Sequence, residues 1–290
     1  MKYLLILGYT FALIFHTNSA LSQSIDKVEI AQATTIRKED KLTDVARLSE
    51  FDQAIKQNPR DAGAYLKRGF FKQFNLNDAL GALADYNKVL ELDPKHAQVY
   101  ANRGILKHTK LNDTSGALAD YNKVLELDPK YVEVYVARGA LKYAKLNDTS
   151  GALADYNKVL ELDPKHVEAY VFRAWLKQLN NDALGALADC NKVLELDPKH
   201  VEAYVGRAAL KHTKLNDALG ALADYNKVLE LDPKHAQAYA GRGFLKLEKI
   251  KDKTGAIQDF RQAARIFQEQ KDTSRFQMAI DKLRELGAIE

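Results

Sequence analysis

Histidine is the residue type in this sequence that most readily suggests chemistry, because an imidazole can bind a metal ion or transfer a proton. Four of the seven histidines stand two residues after a proline, namely His96, His166, His200 and His235. A metal site needs its imidazole nitrogens about 2.0–2.1 Å from one ion. Each of these histidines belongs to a different repeated unit of the sequence, so a whole helical hairpin separates one from the next and we expect no metal site.

Cys190 is the single cysteine of the 290 residues, which excludes an intramolecular disulfide. A nucleophilic cysteine needs a base and surroundings that lower its pKa, and no histidine–aspartate constellation surrounds this one in the sequence. Glycine-rich phosphate loops, metal-ligand clusters and nucleophile motifs are also missing from the sequence. We therefore expect no enzyme activity, no catalytic residue and no cofactor.

An arginine and a lysine four residues apart recur along the sequence, each followed later by an aspartate. Arg103, Lys107 and Asp120 form one such set. The spacing places both cations on one face of a helix, where they could form a basic track for an anionic ligand. Alternatively, the arginine pairs with the aspartate between two helices. Since every set includes its own aspartate, the sequence favours the structural interpretation.

The overall composition is that of a soluble helical protein. Lys+Arg number 43 and Asp+Glu 39, which gives a formal net charge of +4. This charge is too weak and too evenly spread to indicate nucleic-acid binding, which usually needs a concentrated basic face. Glycine and proline are scarce, at 15 and 6 residues, as expected of helices.

The N-terminal segment, residues 1–22, differs from the rest of the chain. Lys2 is followed by the apolar stretch 3–15 and then by small and polar residues that include Ala20 and Ser22. This arrangement is typical of a secretory signal peptide, so we expect export to the periplasm or the extracellular space. The alternative is a membrane anchor, but 13 apolar residues fall short of the roughly 20 that a spanning helix needs. We expect no stable membrane span after cleavage, and a polar linker over residues 23–42.

A fifteen-residue segment, GALADYNKVLELDPK, occurs four times without change, beginning at Gly81, Gly116, Gly151 and Gly220. A fifth copy differs only at Cys190, where the others have tyrosine. The six prolines follow one another at sequence intervals of 35, 35, 35, 34 and 35. Self-similarity at this period predicts stacked repeats rather than a single globule.

The pattern within each repeat predicts two helices. In the first copy Ala82, Tyr86 and Val89 recur at helical spacing and form one apolar face. Asp93 and Pro94 end this helix and begin the next, since proline fits the first turn of a helix but not its interior. The hairpin alone cannot hide its apolar face. It must pack on the next hairpin, which predicts a solenoid.

These units resemble tetratricopeptide repeats. The first helix has an early tyrosine and, four residues later, a glycine or alanine. The second helix has an alanine and then an aromatic residue, and a proline closes the repeat. In the second repeat these residues are Tyr100, Gly104, Ala117, Tyr121 and Pro129. The match recurs in six repeats, although the sixth lacks the terminal proline.

The resemblance implies an all-α fold, a right-handed superhelical solenoid of helix-turn-helix repeats with a C-terminal capping helix. We expect residues 1–22 to be the signal peptide and residues 43–61 an N-terminal half repeat. Residues 62–271 then hold six repeats, and residues 272–290 form the capping helix. The repeats take up nearly all of the mature chain and leave no room for a catalytic domain.

The repeats differ from one another mainly on one stripe of the first helix. In the second repeat the variable positions are Ala101, Ile105, His108 and Thr109, which lie within about a 100° arc. In tetratricopeptide proteins this stripe lines the concave surface that binds partner peptides, so the resemblance implies an apolar, aromatic groove. Trp175 would be an anchor there if it faces solvent. The alternative is that the stripe packs against neighbouring first helices and varies by drift. The predicted groove residues are Leu66, Phe70, Phe74, Ile105, His108, Val136, Tyr143, Val171, Trp175, Leu179, Val205, His212, Phe244 and Leu247.

We therefore expect a protein-interaction scaffold that binds a peptide or helix of a protein partner, whose identity the sequence does not give. The alternative is an accessory or regulatory subunit that docks an enzyme or an envelope complex by its convex face. The second helices are nearly identical even at Asn87, Lys88 and Glu91. We expect these positions to be exposed and not dictated by packing, so that their identity reflects recent duplication.

Overall fold

The computed structural model describes residues 44–289, and the predicted signal peptide and linker lie outside the described residues. The regular structure of the described part is helical, with a π-helical turn at Lys246–Ile250. No helix in residues 44–289 is long and apolar enough to cross a membrane. The α-helices are α1 (Asp44–Gln57), α2 (Ala62–Phe74), α3 (Ala79–Leu92), α4 (Ala97–Thr109), α5 (Thr114–Leu127), α6 (Val132–Leu146), α7 (Thr149–Leu162), α8 (Val167–Leu179), α9 (Ala183–Leu196), α10 (Val201–Thr213), α11 (Ala218–Leu231), α12 (Ala236–Leu245), α13 (Lys253–Glu269) and α14 (Thr273–Glu285).

Consecutive helices pack as pairs, which confirms the predicted all-α fold of helical hairpins. Helices α2 and α3 form repeat 1, and each following pair forms the next repeat up to α12 and α13, which form repeat 6. Helix α1 packs on α2 as a half repeat, and α14 packs on α13 at the other end.

The chain divides into two compact units between residues 164 and 165. The described part of the first unit holds α1 to α7, and the second unit holds α8 to α14. Within the first unit α3 packs on α4 and α5 on α6. Within the second, α9 packs on α10 and α11 on α12. Each unit is therefore a stack of hairpins in which one repeat covers the next.

An aspartate begins the second helix of every repeat. In repeat 2, Asp113 Oδ1 accepts a hydrogen bond from the backbone N–H of Gly116 at 2.9 Å, which satisfies a donor that the helix leaves unpaired. A Cβ at Gly116 would lie 2.0 Å from Asp113 Oδ2, so a larger residue here would displace the capping carboxylate. Asn112, just before the cap, has a left-handed φ of 51°, a conformation that asparagine tolerates. The turn sequence thus fixes where each second helix starts.

The core of each repeat is built around the aromatic residue of its second helix. In repeat 2, Tyr121 is fully buried and packs with Ala101 of α4, Val124 of α5 and Leu141 of α6. A Cβ at Gly104 would lie 2.7 Å from Tyr121 Cε1, so the small residue of the first helix makes room for the ring. This cluster joins repeat 2 to repeat 3.

Helix α14 covers the apolar end of repeat 6. Leu283 of α14 packs with Phe244 of α12 and Phe260 of α13, and all three are buried. Phe276 of α14 packs on the neighbouring cluster that contains Phe267. The predicted capping helix is therefore the element that closes this stack.

Candidate partner-binding face

The repeated arginine joins the two helices of its repeat. Arg103 Nε and Nη2 donate to the two carboxylate oxygens of Asp120 at 2.9 and 2.6 Å, and Lys107 Nζ lies 2.9 Å from Asp120 Oδ2. The guanidinium also stacks over the Tyr100 ring, 5.3 Å from its centroid. Both cations neutralise a buried carboxylate and do not form a basic track, so the structural interpretation is confirmed. The equivalent pairs are Arg68–Asp85, Arg138–Asp155, Arg173–Asp189, Arg207–Asp224 and Arg242–Asp259.

The same arginine also bonds to the preceding repeat. Arg103 Nη1 donates to Asn87 Oδ1 of α3 at 2.7 Å. Asn87 is exposed, as expected, but duplication is not the sole reason for its identity, because this asparagine is an acceptor at the junction. Lys88 and Glu91 instead pair with each other at 2.7 Å on the surface. The same junction bond joins Arg138 to Asn122, Arg207 to Asn191 and Arg242 to Asn226.

The histidines that follow the prolines act mostly as helix caps. His166, His200 and His235 accept hydrogen bonds at Nδ1 from backbone N–H groups three residues further on, at 3.2, 3.3 and 3.1 Å. Between residues 44 and 289 no group of three histidine, cysteine, aspartate or glutamate side chains could hold a metal ion. Burial raises the pKa of Cys190 to about 12, which keeps its thiol protonated and unreactive near neutral pH.

In the first unit, part of the predicted groove is accessible. Leu66, Phe70 and Phe74 of α2 are half-buried, as are His108 of α4 and Tyr143 of α6. The rings of Phe70 and Phe74 stack, with 5.8 Å between centroids and 21° between planes. We call these five residues the accessible stripe.

Of the remaining predicted groove residues, some are buried and others are accessible to solvent. Trp175 is 5% exposed, so it does not present the solvent-facing anchor that the prediction required of it. In the second unit Leu179 is 48% exposed, and Val171 and Leu247 are half-buried. For the buried members, the alternative interpretation applies, in which the stripe packs against neighbouring helices. These buried members are Ile105, Val136, Trp175, Val205, His212 and Phe244.

One contact on the stripe was missed by sequence reasoning. Glu248 Oε2 lies 3.3 Å from Nε2 of the buried His212, one repeat earlier. Burial lowers the pKa of His212, the Glu248 carboxylate raises it in part, and the charge of Lys249 lowers it. The two residues belong to different repeats, so only the stacking of α12 on the preceding repeat brings them together.

Two family models match the chain. The model described as TPR repeat matches residues 106–145, and the model described as tetratricopeptide repeat matches residues 137–201. No curated protein sequence is significantly similar to this chain.

Solved structures share the arrangement of helices. YrrB, described as a TPR protein with an unusual peptide-binding site, is 25% identical with a TM-score of 0.56, over 65% of this chain and 95% of YrrB. A tetratricopeptide repeat protein from Parabacteroides merdae is 25% identical with a TM-score of 0.55, over 89% of this chain and 99% of its own. The C-terminal part of a TPR repeat-containing protein from Cytophaga hutchinsonii is 17% identical with a TM-score of 0.69. That match covers 83% of this chain and 94% of the other.

Proposed function

Because this chain is a tetratricopeptide-repeat protein, we propose that it is a non-enzymatic scaffold that binds a segment of a partner protein on the accessible stripe. The proposal is supported by the similarity to YrrB, whose description names a peptide-binding site. A bound segment would be held by apolar contact with the half-buried rings, the kind of residue that anchors peptides in interfaces.

The observation that carries this proposal is the accessible aromatic surface of repeat 1. Phe70 packs edge-on against the buried Tyr86, with 5.9 Å between ring centroids. This contact with the core restrains the Phe70 ring. Phe74 stacks on Phe70 at the end of α2. A ring that is held in place but still partly accessible loses little conformational freedom when a partner covers it. Repeat 1 therefore offers a preorganised apolar contact.

A second candidate function rests on a different surface. Leu80, Leu184 and Leu219 occupy the same position near the start of a second helix, and they are 71%, 70% and 77% exposed. Exposed leucines at one repeated position favour docking through the second helices. The chain would then be an accessory or regulatory subunit of an enzyme or an envelope complex.

Matched variants distinguish the two functions. Phe74→Ala removes an anchor of the accessible stripe, whereas Leu80→Ser converts the exposed leucine to the residue that repeats 2 and 3 have there, Ser115 and Ser150. Partners are captured with each tagged variant from the cells that make the protein and identified by mass spectrometry. Loss of a partner with Phe74→Ala but not with Leu80→Ser supports the scaffold. The opposite pattern supports the accessory subunit.

We also propose that the protein is exported and that its N-terminal segment is cleaved off, on the basis of the Lys2-to-Ser22 arrangement. Mass spectrometry of the native protein should find a new N-terminus after Ala20 or Ser22. A chain that keeps Met1 and fractionates with the cytoplasm would exclude export.

A further inference from the structure

Two histidines occupy the same position of the stripe in different repeats. His108 is the second-last residue of α4 in repeat 2, and His212 is the second-last residue of α10 in repeat 5. Burial lowers the pKa of both histidines, and a lysine of the next repeat lowers it further, Lys145 for His108 and Lys249 for His212. These repeats therefore provide two versions of one side-chain cluster.

The lysines show that the two clusters are in the same register. Lys145 Nζ donates to Asn112 Oδ1 at 3.2 Å in the first unit. Lys249 Nζ donates to Asn216 Oδ1 at 3.0 Å in the second. Although Lys249 lies in the π-helical turn and Lys145 in a continuous α-helix, both reach the equivalent asparagine. The residues before these lysines therefore correspond as well.

The two clusters differ in the residue before the lysine. In the second unit it is Glu248, whose carboxylate reaches His212 Nε2 at 3.3 Å. In the first unit it is Ala144, which is exposed and whose methyl group offers no acceptor. One histidine thus has a carboxylate supplied by its own chain, and the other does not.

The buried nitrogen of the His108 imidazole indicates which ring nitrogen carries the proton. Its Nδ1 is buried without a hydrogen-bond partner, as is Nδ1 of His212. An unpartnered buried nitrogen is less costly without a proton, so the proton of the neutral ring belongs on Nε2. In His212 that nitrogen faces the Glu248 carboxylate. His108 is only half-buried, so its Nε2–H, not the buried Nδ1, is the ring donor that a ligand can reach.

We propose that His108 and Lys145 form a subsite for a carboxylate of the bound partner segment, supplied by a glutamate or aspartate side chain. This inference rests on the proposed binding function of the accessible stripe. Glu248 is the internal counterpart of such a ligand, since it places a carboxylate against the equivalent histidine and next to the equivalent lysine. The preferred segment then combines an acidic residue with apolar residues that contact Phe70, Phe74 and Tyr143.

The test uses a phage-displayed library of random heptapeptides, selected on the full chain and on three variants. Ala144→Glu places a carboxylate of the protein beside His108, whereas Ala144→Gln is its neutral match of nearly the same size. Phe74→Ala identifies the peptides that need the stripe. Melting curves of all variants establish that each is folded.

We expect the wild-type protein to enrich stripe-dependent peptides with glutamate or aspartate at a fixed position. A representative synthetic peptide should bind Ala144→Glu about tenfold more weakly than it binds the wild type, as expected when one charge-assisted hydrogen bond is lost. Ala144→Gln should retain most of the affinity. Equal loss in both variants would indicate a steric effect and overturn the subsite.

The two levels of the proposal fail in different ways. Peptides that depend on Phe74 but show no acidic preference would overturn the carboxylate subsite and leave the scaffold function in place. If no enriched peptide loses binding in Phe74→Ala, both the subsite and the function of the stripe are wrong.

Discussion

The arginine of repeat 2 contacts three elements at once. Arg103 pairs with Asp120 of its own repeat, bonds to Asn87 of the preceding repeat and stacks on Tyr100. Asp120 is only 3% exposed, so its charge depends on Arg103 and Lys107 for compensation. The stability of the hairpin and that of the junction are therefore linked through one guanidinium group.

We expect Asp120→Ala to lower the free energy of unfolding by about 3 kcal/mol, because it leaves two partly buried cations without their carboxylate. Asn87→Ala, which removes only a hydrogen bond to the same guanidinium, should cost about 1 kcal/mol. Urea denaturation of both variants measures the difference. Equal losses would contradict the dominant role of the carboxylate.

A second prediction at the residue scale concerns the effect of Glu248 on the pKa of the His212 imidazole. Glu248 raises the pKa of this imidazole, whereas burial and Lys249 lower it. Glu248→Gln removes the only one of these three influences that favours the charged ring, so the pKa of His212 should fall further below its ordinary value. Histidine NMR titration measures the change, with the exposed Glu230→Gln as a control that leaves it unaltered. An unchanged or higher pKa in Glu248→Gln would show that the carboxylate does not act on the ring.

Among the elements, the first helices show most clearly what sequence could and could not establish. Helical spacing placed Trp175 and Phe74 on one stripe, and both lie on the first helices of their repeats. Spacing could not show that Trp175 is 5% exposed while Phe74 remains half-buried. Burial on this stripe depends on how closely other side chains approach, which a single helix pattern does not contain.

This difference predicts the outcome of alanine substitutions on the helices. Trp175→Ala should destabilise the fold by about 3–5 kcal/mol, the range for a buried aromatic residue, and should match the core control Tyr121→Ala. Phe74→Ala should cost less, because its ring is already partly in solvent. Denaturant melts of the three variants test the order. A stable Trp175→Ala protein would show that the tryptophan is more accessible than its burial indicates.

Helix α14 provides the other prediction at this scale. Deleting residues 272–290 uncovers Phe244, Phe260 and Phe267, which α14 contacts. We expect a lower melting temperature and aggregation, since the last repeat of a stack needs a polar cover. Size-exclusion chromatography and thermal melts report both effects, with the exposed Gln277→Ala as the control that keeps α14. A monomeric truncated protein with an unaltered melting temperature would remove the capping role.

For the whole molecule, the fold was predictable because the same helix-forming sequence pattern recurs in six repeats. The proline period gave the repeat length, and the aspartate–proline pairs gave the boundary between one repeat and the next. The junction bonds and the His212–Glu248 contact were not predictable, because they join residues of different repeats. The division into two compact units was not predicted either, although its boundary lies where the single 34-residue interval of the proline period begins, at Pro164.

The junction between repeats has a consequence for how the gene can change. Arg103 meets Asn87, and Arg138 meets Asn122, through the same atoms. Excising residues 96–130, one full period of the sequence, would bring Arg138 to Asn87 and restore a junction of identical composition. Unequal recombination between copies can thus shorten or lengthen the stack by whole repeats without requiring a new interface to evolve. The residues of the stripe can then diverge between repeats while the junction residues stay the same.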